Sequence, residues 1–244
     1  MNGIVYLVGS GPGGPGLMTF RAREVIDGAD VILYDQLPGE DIINSLPESA
    51  ELIDVGKFGG HHIREQGETE KLMVEYARAG RVVVRLKGGD PFLFGRGGEE
   101  METLRESGIP VEVVPGITSA IAVPECVGIP VTHRSYASQV TMLTGHEDPD
   151  KLKSAIDWEW LARSPGTLVI LMGVKNLPNI TVSLTENGMD ENKPVAIIEK
   201  GLRPDQRVTV GTLSDIAIKA KEAGVKPPAV IVIGDVVRLY VNQS

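Results

Sequence analysis

The chain has 244 residues, 42% hydrophobic and 23% charged, which suits one large folded domain or two medium ones and excludes a disordered chain. A formal net charge of −9 argues against a general nucleic-acid binder, yet an anionic small molecule needs only local positive charge. Cys126 is the only cysteine, so an internal disulfide is excluded and a reducing, cytoplasmic setting is expected.

In chain order, MNGIVYLVGSGPGG lacks the basic start of a signal peptide and reads as a strand entering a turn. No later run approaches the roughly 20 apolar residues of a membrane span, so no membrane partner is expected. Short β-rich runs at 4–8, 31–34, 51–55, 81–86 and 111–114 alternate with helical spacing at 19–27, 68–79 and 98–107. Thr19 is placed to cap the first helix and Gly108 to end the last. Such alternation predicts a mainly parallel sheet covered by helices over residues 1–127. The stretch 128–136 carries proline and polar residues without helical period and reads as a linker. Beyond it, strands are predicted at 139–144, 167–172, 194–199, 206–212 and 229–236, with helices near 150–161, 177–187 and 214–223. Strands 194–199 and 206–212, separated by a turn, predict a hairpin and hence a mixed sheet over 137–244. The expected fold class is α/β, as two α/β domains with the active-site cleft between them.

VGSGPGGPG matches G-x-G-x-x-G through Gly9, Gly11 and Gly14, and Asp35 follows 21 positions later at the end of the next strand. That is the dinucleotide fingerprint, so an NAD-dependent dehydrogenase is one reading. Pro12 and Pro15 oppose it, because a phosphate cradle is built of backbone N–H groups and proline has none. The loop suits a ligand that needs close backbone approach without a phosphate, and it also suits a plain tight turn.

The segment RLKGGDPFLFGRGGEE (85–100) is more specific. Gly88, Gly89 and Asp90 follow a strand at its C-terminal end, where open α/β sheets place ligands. Pro91 forces Asp90 to be extended, and Gly95, Gly97 and Gly98 carry Arg96 into the next helix. Arg85 and Lys87 lie nearer the strand and are expected to pair with acids.

Taken with VGSGPGGPGLMT (8–19), ADVILYDQL (29–37), VGK (55–57), VPGITSA (114–120), GIPVTHRSYASQVTMLTGH (128–146) and LVILMG (168–173), this segment resembles the tetrapyrrole methylase family over nearly the whole chain. The resemblance implies a cofactor, S-adenosyl-L-methionine (SAM, leaving S-adenosyl-L-homocysteine), no metal, and a homodimer. It implies methylation of uroporphyrinogen III at C2 and C7 to give precorrin-2. A later precorrin methylase, a diphthine synthase and a non-enzymatic tetrapyrrole carrier remain alternatives.

By the same resemblance, SAM is bound by Pro12, Gly88, Gly89, Asp90 and Leu93, by Thr118 and Ser119 at a helix start, and by Met172, Gly201 and Ala229. Asp35 and Lys57 match the family's proton acceptor and proton donor. Phe58 stands where relatives often carry a further basic residue, and His61, His62 and Arg64 in the same loop would restore positive charge. The substrate is a polycarboxylate, so Arg96 is the first choice for a bidentate partner, followed by His133 and Arg134.

Overall fold

The computed structural model describes residues 3–58, 61–62, 66–146 and 155–241, the side chains of 57, 58, 61, 62 and 66 excepted. The chain divides into two compact units, Met1–Ser119 and Ala120–Ser244.

The first unit runs β1 (Ile4–Gly9), α1 (Phe20–Asp27), β2 (Val31–Tyr34), α2 (Glu40–Ile43), β3 (Glu51–Asp54), β4 (Lys57–Phe58), β5 (His61–His62), α3 (Gln66–Arg78), β6 (Val82–Lys87), α4 (Gly97–Glu106) and β7 (Val111–Val114). Five strands form a parallel sheet in the order β3-β2-β6-β1-β7. The side-chain period of two sends alternate residues to opposite faces. Val8, Ile32, Val84, Leu86 and Val114 pack with Ala22, Val25 and Ile26 of α1 and Ile42 of α2. Val5, Leu7, Val31, Leu33 and Val83 pack with Met73, Val74 and Ala77 of α3 and Leu104 of α4. The central strands are therefore buried on both faces, which is why they read as near-continuous apolar runs. The hydroxyl of Thr19 accepts from the Ala22 amide at 3.1 Å and caps α1, while Gly108, at φ +70°, ends the turn after α4.

α5 (Ser119–Cys126) begins at the boundary. The second unit continues with β8 (Val140–Thr144), α6 (Trp158–Arg163), β9 (Thr167–Leu171), α7 (Leu177–Glu186), β10 (Pro194–Glu199), β11 (Arg207–Thr212), α8 (Ile216–Glu222) and β12 (Ala229–Ile233). Its sheet is mixed, in the order β11-β10-β12-β9-β8, with only the β8–β9 pair parallel. The hairpin is present, with Pro194 opposite Thr212 and Glu199 opposite Arg207. Helices α6, α7 and α8 cover one face through Leu161, Leu177, Ile180, Leu184, Ile216 and Ala220.

Three expected elements end differently. The strand expected over 229–236 stops at Ile233, because Gly234 takes φ +149° and a 3-10 turn, Asp235–Leu239, follows. The strand expected over 167–172 stops at Leu171, because Met172 is left-handed at φ +56°. The helix expected over 150–161 begins only at Trp158, where Asp157 caps it by accepting from the Trp160 amide at 2.9 Å; residues 147–154 lie outside the described ones. Residues 128–136, read as a linker, include a turn in the second unit closed by reciprocal backbone hydrogen bonds between His133 and Ala137, both 2.9 Å. Among the described residues no helix is long and apolar enough to cross a membrane.

At the C-terminal ends of β1, β6 and β7 the packing is backbone on backbone. A Cβ at Gly116 would stand 2.1 Å from the Gly89 carbonyl oxygen, whereas one at Gly98 would meet nothing within 4 Å. Gly116→Ala should cost about 1–3 kcal/mol in urea unfolding, and Gly98→Ala should be neutral or mildly stabilising.

Candidate active site

Loops at the C-terminal edge of the parallel sheet are tied into one surface. The Ser10 amide donates to the Lys87 carbonyl at 2.8 Å, and Gly11 and Gly89 exchange backbone hydrogen bonds of 3.1 and 3.0 Å. Gly89 makes this turn at φ +67° and Gly11 at φ +70°, conformations that glycine adopts without strain. Asp90 secures the next turn: Oδ1 accepts from the Phe92 and Leu93 amides at 2.9 and 3.1 Å, and Oδ2 accepts from the Gly116 amide at 3.2 Å. Its carboxylate thus joins the loop after β6 to the loop after β7.

The glycine loop after β1 does not open α1. Gly14 instead precedes a 3-10 turn, Pro15–Leu17, and α1 begins only at Phe20 under its own Thr19 cap. A dinucleotide pyrophosphate needs the loop to run directly into a helix N-terminus. That requirement is not met here, and Pro12, buried in the loop, offers no N–H.

Beneath these loops lies a chain of four charged side chains. Residues 83, 85 and 87 of β6 share a strand parity, so Arg85 and Lys87 fall on the face that α3 and α4 cover. Glu100, in the first turn of α4, receives both cations: Arg85 Nε donates to Oε1 at 3.1 Å, and Lys87 Nζ donates to Oε1 and Oε2 at 3.0 and 2.9 Å. Arg85 also donates through Nη1 to the Leu86 and Leu33 carbonyls at 3.0 and 3.4 Å, and through Nη2 to Asp35 Oδ2 at 3.3 Å. Oδ1 of Asp35 accepts from the Leu37 amide at 3.0 Å. Burial pushes the Lys87 ammonium below the ordinary lysine range, helped by the nearby Arg85 guanidinium and only partly offset by Glu100.

Arg96 is left-handed at φ +58° and half-exposed at the start of α4. Its guanidinium is paired with Glu99, Nη2 to Oε2 at 2.6 Å, which holds the Glu99 carboxyl below its usual range. Gly95 and Gly97 wrap around the Pro91 carbonyl, where a Cβ on either would come within 2.6 Å. Arg96 is thus paired within its own helix turn and lies at the surface. His133 Nδ1 accepts from the Ser135 amide at 3.1 Å, and Arg134 is exposed beside it. Lys57 lies in β4, with its side chain outside the described residues, as are those of His61 and His62; Arg64 lies wholly outside them.

In the second unit, Met172 follows β9 and its side chain is half-exposed. Gly201 sits between the left-handed Lys200 (φ +47°) and Leu202 (φ +66°), and a Cβ on it would collide with Val123 at 2.5 Å. Ala229 opens β12 opposite Glu199. Thr118 and Ser119 lie at the start of α5, with the Ser119 amide 3.6 Å from where a Gly89 Cβ would stand. Exposed apolar residues lie in the loops of the first unit: Phe92 and Phe94, the two phenylalanines of the 85–100 segment, of which Phe94 is left-handed, and Leu37 and Ile117, which the motifs do not single out. Only their apolar character between glycines and prolines signals them. Among the described residues no three His, Cys, Asp or Glu side chains converge as a metal site would require.

The side chain of Glu100 is fully buried between two cations, so neutralising it removes the carboxylate that Lys87 is paired with and leaves Arg85 with Asp35 alone. Glu100→Gln should cost about 3–5 kcal/mol in denaturant unfolding. Glu99→Gln, which breaks an exposed pair, should cost less than about 1 kcal/mol.

The chain is similar to known proteins in sequence and in fold. The tetrapyrrole (corrin/porphyrin) methylase family pattern matches residues 4–217. An S-adenosyl-L-methionine-dependent uroporphyrinogen III methyltransferase of Methanosarcina barkeri is 59% identical over 98% of this chain and 93% of its own length. A uroporphyrinogen-III C-methyltransferase of Methanocaldococcus jannaschii is 50% identical over the full length of both. Among solved structures, uroporphyrin-III C-methyltransferase from Thermus thermophilus in complex with S-adenosylhomocysteine superposes with a TM-score of 0.83 at 39% identity, covering 98% of this chain and all of that one. With two α/β units, a glycine-tied turn suited to close ligand approach, and relatives matched end to end, the chain belongs to the tetrapyrrole methylase family.

Proposed function

We propose that this protein methylates uroporphyrinogen III twice, at C2 and C7, with SAM as methyl donor, giving precorrin-2. The observation that carries the reading is the Gly11–Gly89 pairing with Asp90 behind it, in a chain 59% identical to a relative named for this activity. The turn fits a ligand that brings no phosphate. A Cβ at Gly89 would already touch the Ser119 amide nitrogen at 3.6 Å and the Ile117 carbonyl oxygen at 3.9 Å, so a larger side chain there would crowd the turn that a ligand is to approach.

Bound SAM supplies an electrophilic methyl: an electron pair of a pyrrole carbon forms the new C–C bond, the C–S bond breaks toward sulfur, and one proton then leaves the macrocycle. The protein's part is alignment, exclusion of water and care of that proton. From the first unit, Pro12, Gly88, Gly89, Asp90, Leu93, Thr118 and Ser119 are assigned to SAM, the Gly88–Asp90 turn by close backbone approach. From the second, Met172, Gly201 and Ala229 are assigned to it; the left-handed backbone at Met172 and on both sides of Gly201 supports this, because strain of that kind gathers at functional sites. Asp35, at the end of β2 and 20% exposed, is the proton acceptor, and Lys57 the donor. Arg96, His133 and Arg134 are assigned to substrate carboxylates, and the exposed Leu37, Phe92, Phe94 and Ile117 suit the apolar body of the macrocycle. A cytoplasmic homodimer belongs to the same reading, supported by the family resemblance.

Calorimetry distinguishes this from a dehydrogenase. S-Adenosylhomocysteine should bind with micromolar or tighter affinity and NADH should give no heat; the reverse pattern would sink the methyltransferase reading. Gly89→Val should remain folded, with about 1–2 kcal/mol of left-handed strain, and should lose S-adenosylhomocysteine binding. Unchanged affinity in a folded variant would remove the turn from the site.

Arg96→Ala should raise the substrate KM or lower kcat about ten- to a hundred-fold, the value of one charge-assisted pair. S-Adenosylhomocysteine affinity should hold, and the melting temperature should barely move because the Glu99 pair is exposed. Arg96→Lys should recover only part of the loss. A lowered melting temperature with normal kinetics would leave Arg96 as a helix brace alone.

A further inference from the structure

We infer that Arg85 is a positioning residue for Asp35, held in place by Glu100 and Lys87, and that it acts on the reaction only through the Asp35 carboxylate. The inference rests on Asp35 being the proton acceptor.

The geometry supporting it is the direction of the charged chain. Lys87, Glu100 and Arg85 have side chains 7%, 0% and 7% exposed, while Asp35 is 20% exposed. The chain runs from the interior, under α4, to one carboxylate that solvent and ligand reach. Two cations alternate with two carboxylates along it. Both its oxygens are held: Oδ2 by Arg85 Nη2 at 3.3 Å and Oδ1 by the Leu37 amide at 3.0 Å. Arg85 itself has no slack. Its Nε is on Glu100, Nη1 on the carbonyls of Leu33 and Leu86, and Nη2 on Asp35. Leu33 is also the register partner of Arg85 across β2 and β6, so the guanidinium is referenced to the strand that ends at Asp35. Stability alone gives this parallel strand little reason to bury an arginine, since apolar side chains of similar volume often replace buried ion pairs without loss. The guanidinium, itself fixed on three sides, holds one oxygen of Asp35 while the Leu37 amide holds the other, and together they set the direction of the carboxylate.

The test is a double-mutant cycle on kcat with full-length protein, uroporphyrinogen III and SAM, using Arg85→Lys and Asp35→Asn singly and together. Arg85→Lys keeps the charge and loses the fork. It should lower kcat about ten- to a hundred-fold, the scale of misplacing a reacting group by about an ångström, while S-adenosylhomocysteine affinity stays within about two-fold. In the Asp35→Asn background the same change should have no further effect on kcat. Arg85→Gln, which retains an amide donor, gives a second arm, and thermal melting identifies which variants are folded. Equal falls in both backgrounds, or a folded Arg85→Lys with normal kcat beside an impaired Asp35→Asn, would overturn the positioning role and leave Asp35 as proton acceptor. A fully active Asp35→Asn would instead overturn the proton-acceptor reading, and the inference with it.

Discussion

The contact on which the site depends is backbone against backbone. Gly9, at the end of β1, has no room for a Cβ beside the Gly89 carbonyl and the Gly116 amide, 2.5 and 2.6 Å away. Gly116 is tighter still. The three strand ends can therefore converge only if Gly9 and Gly116 lack side chains, and their convergence brings the Gly11–Gly89 bridge and the Asp90 carboxylate into reach. The glycine motif is often taken as a phosphate signature. Here its first duty is to let the loops after β1, β6 and β7 touch.

Directly beneath, the fold accepts a layer that a stability argument would avoid. Buried charges are costly unless paired, and Glu100 is paired twice. The arrangement suits its place: strand parity puts Arg85 and Lys87 on the α4 side, and Glu100 lies in the first turn of α4, where a carboxylate also meets the positive end of the helix. Packing, helix dipole and charge balance thus agree at one point, and that agreement is what holds Asp35 at the rim.

Much of this was legible in the sequence where local rules act alone. The Thr19 cap, the Gly108 stop and the β10–β11 hairpin follow from periodicity and turn chemistry, and the elements lie within a residue or two of expectation apart from the end of β12 and the start of α6. What escaped depended on left-handed backbone at residues that give no sign of it. Nothing in Met172 announces that it ends β9, and nothing in Lys200 or Leu202 announces the tight turn around Gly201. The pairing of Arg85 and Lys87 with acids was foreseeable from their nearness to the strand, but the identity of the acid was not, because Glu100 reaches them through the packing of α4 on the sheet. Expectations for Lys57, His61, His62 and Arg64 fall on side chains outside the described residues.

If Arg96 takes a substrate carboxylate, as proposed, the Arg96–Glu99 pair accounts for how an acidic protein would serve a polyanionic substrate. Glycines on either side wrap the Pro91 carbonyl, hold the Arg96 backbone left-handed and keep its side chain at the surface, so the cation is presented by the chain path itself. Its carboxylate partner is half-exposed, and such a pair is worth at most about 1 kcal/mol. Exchanging Glu99 for a substrate carboxylate therefore costs little, and a bidentate grip in a drier setting would more than repay it. A net charge of −9 is no obstacle under this arrangement. Local pairing keeps the guanidinium in position, and the weakness of that pairing leaves it available.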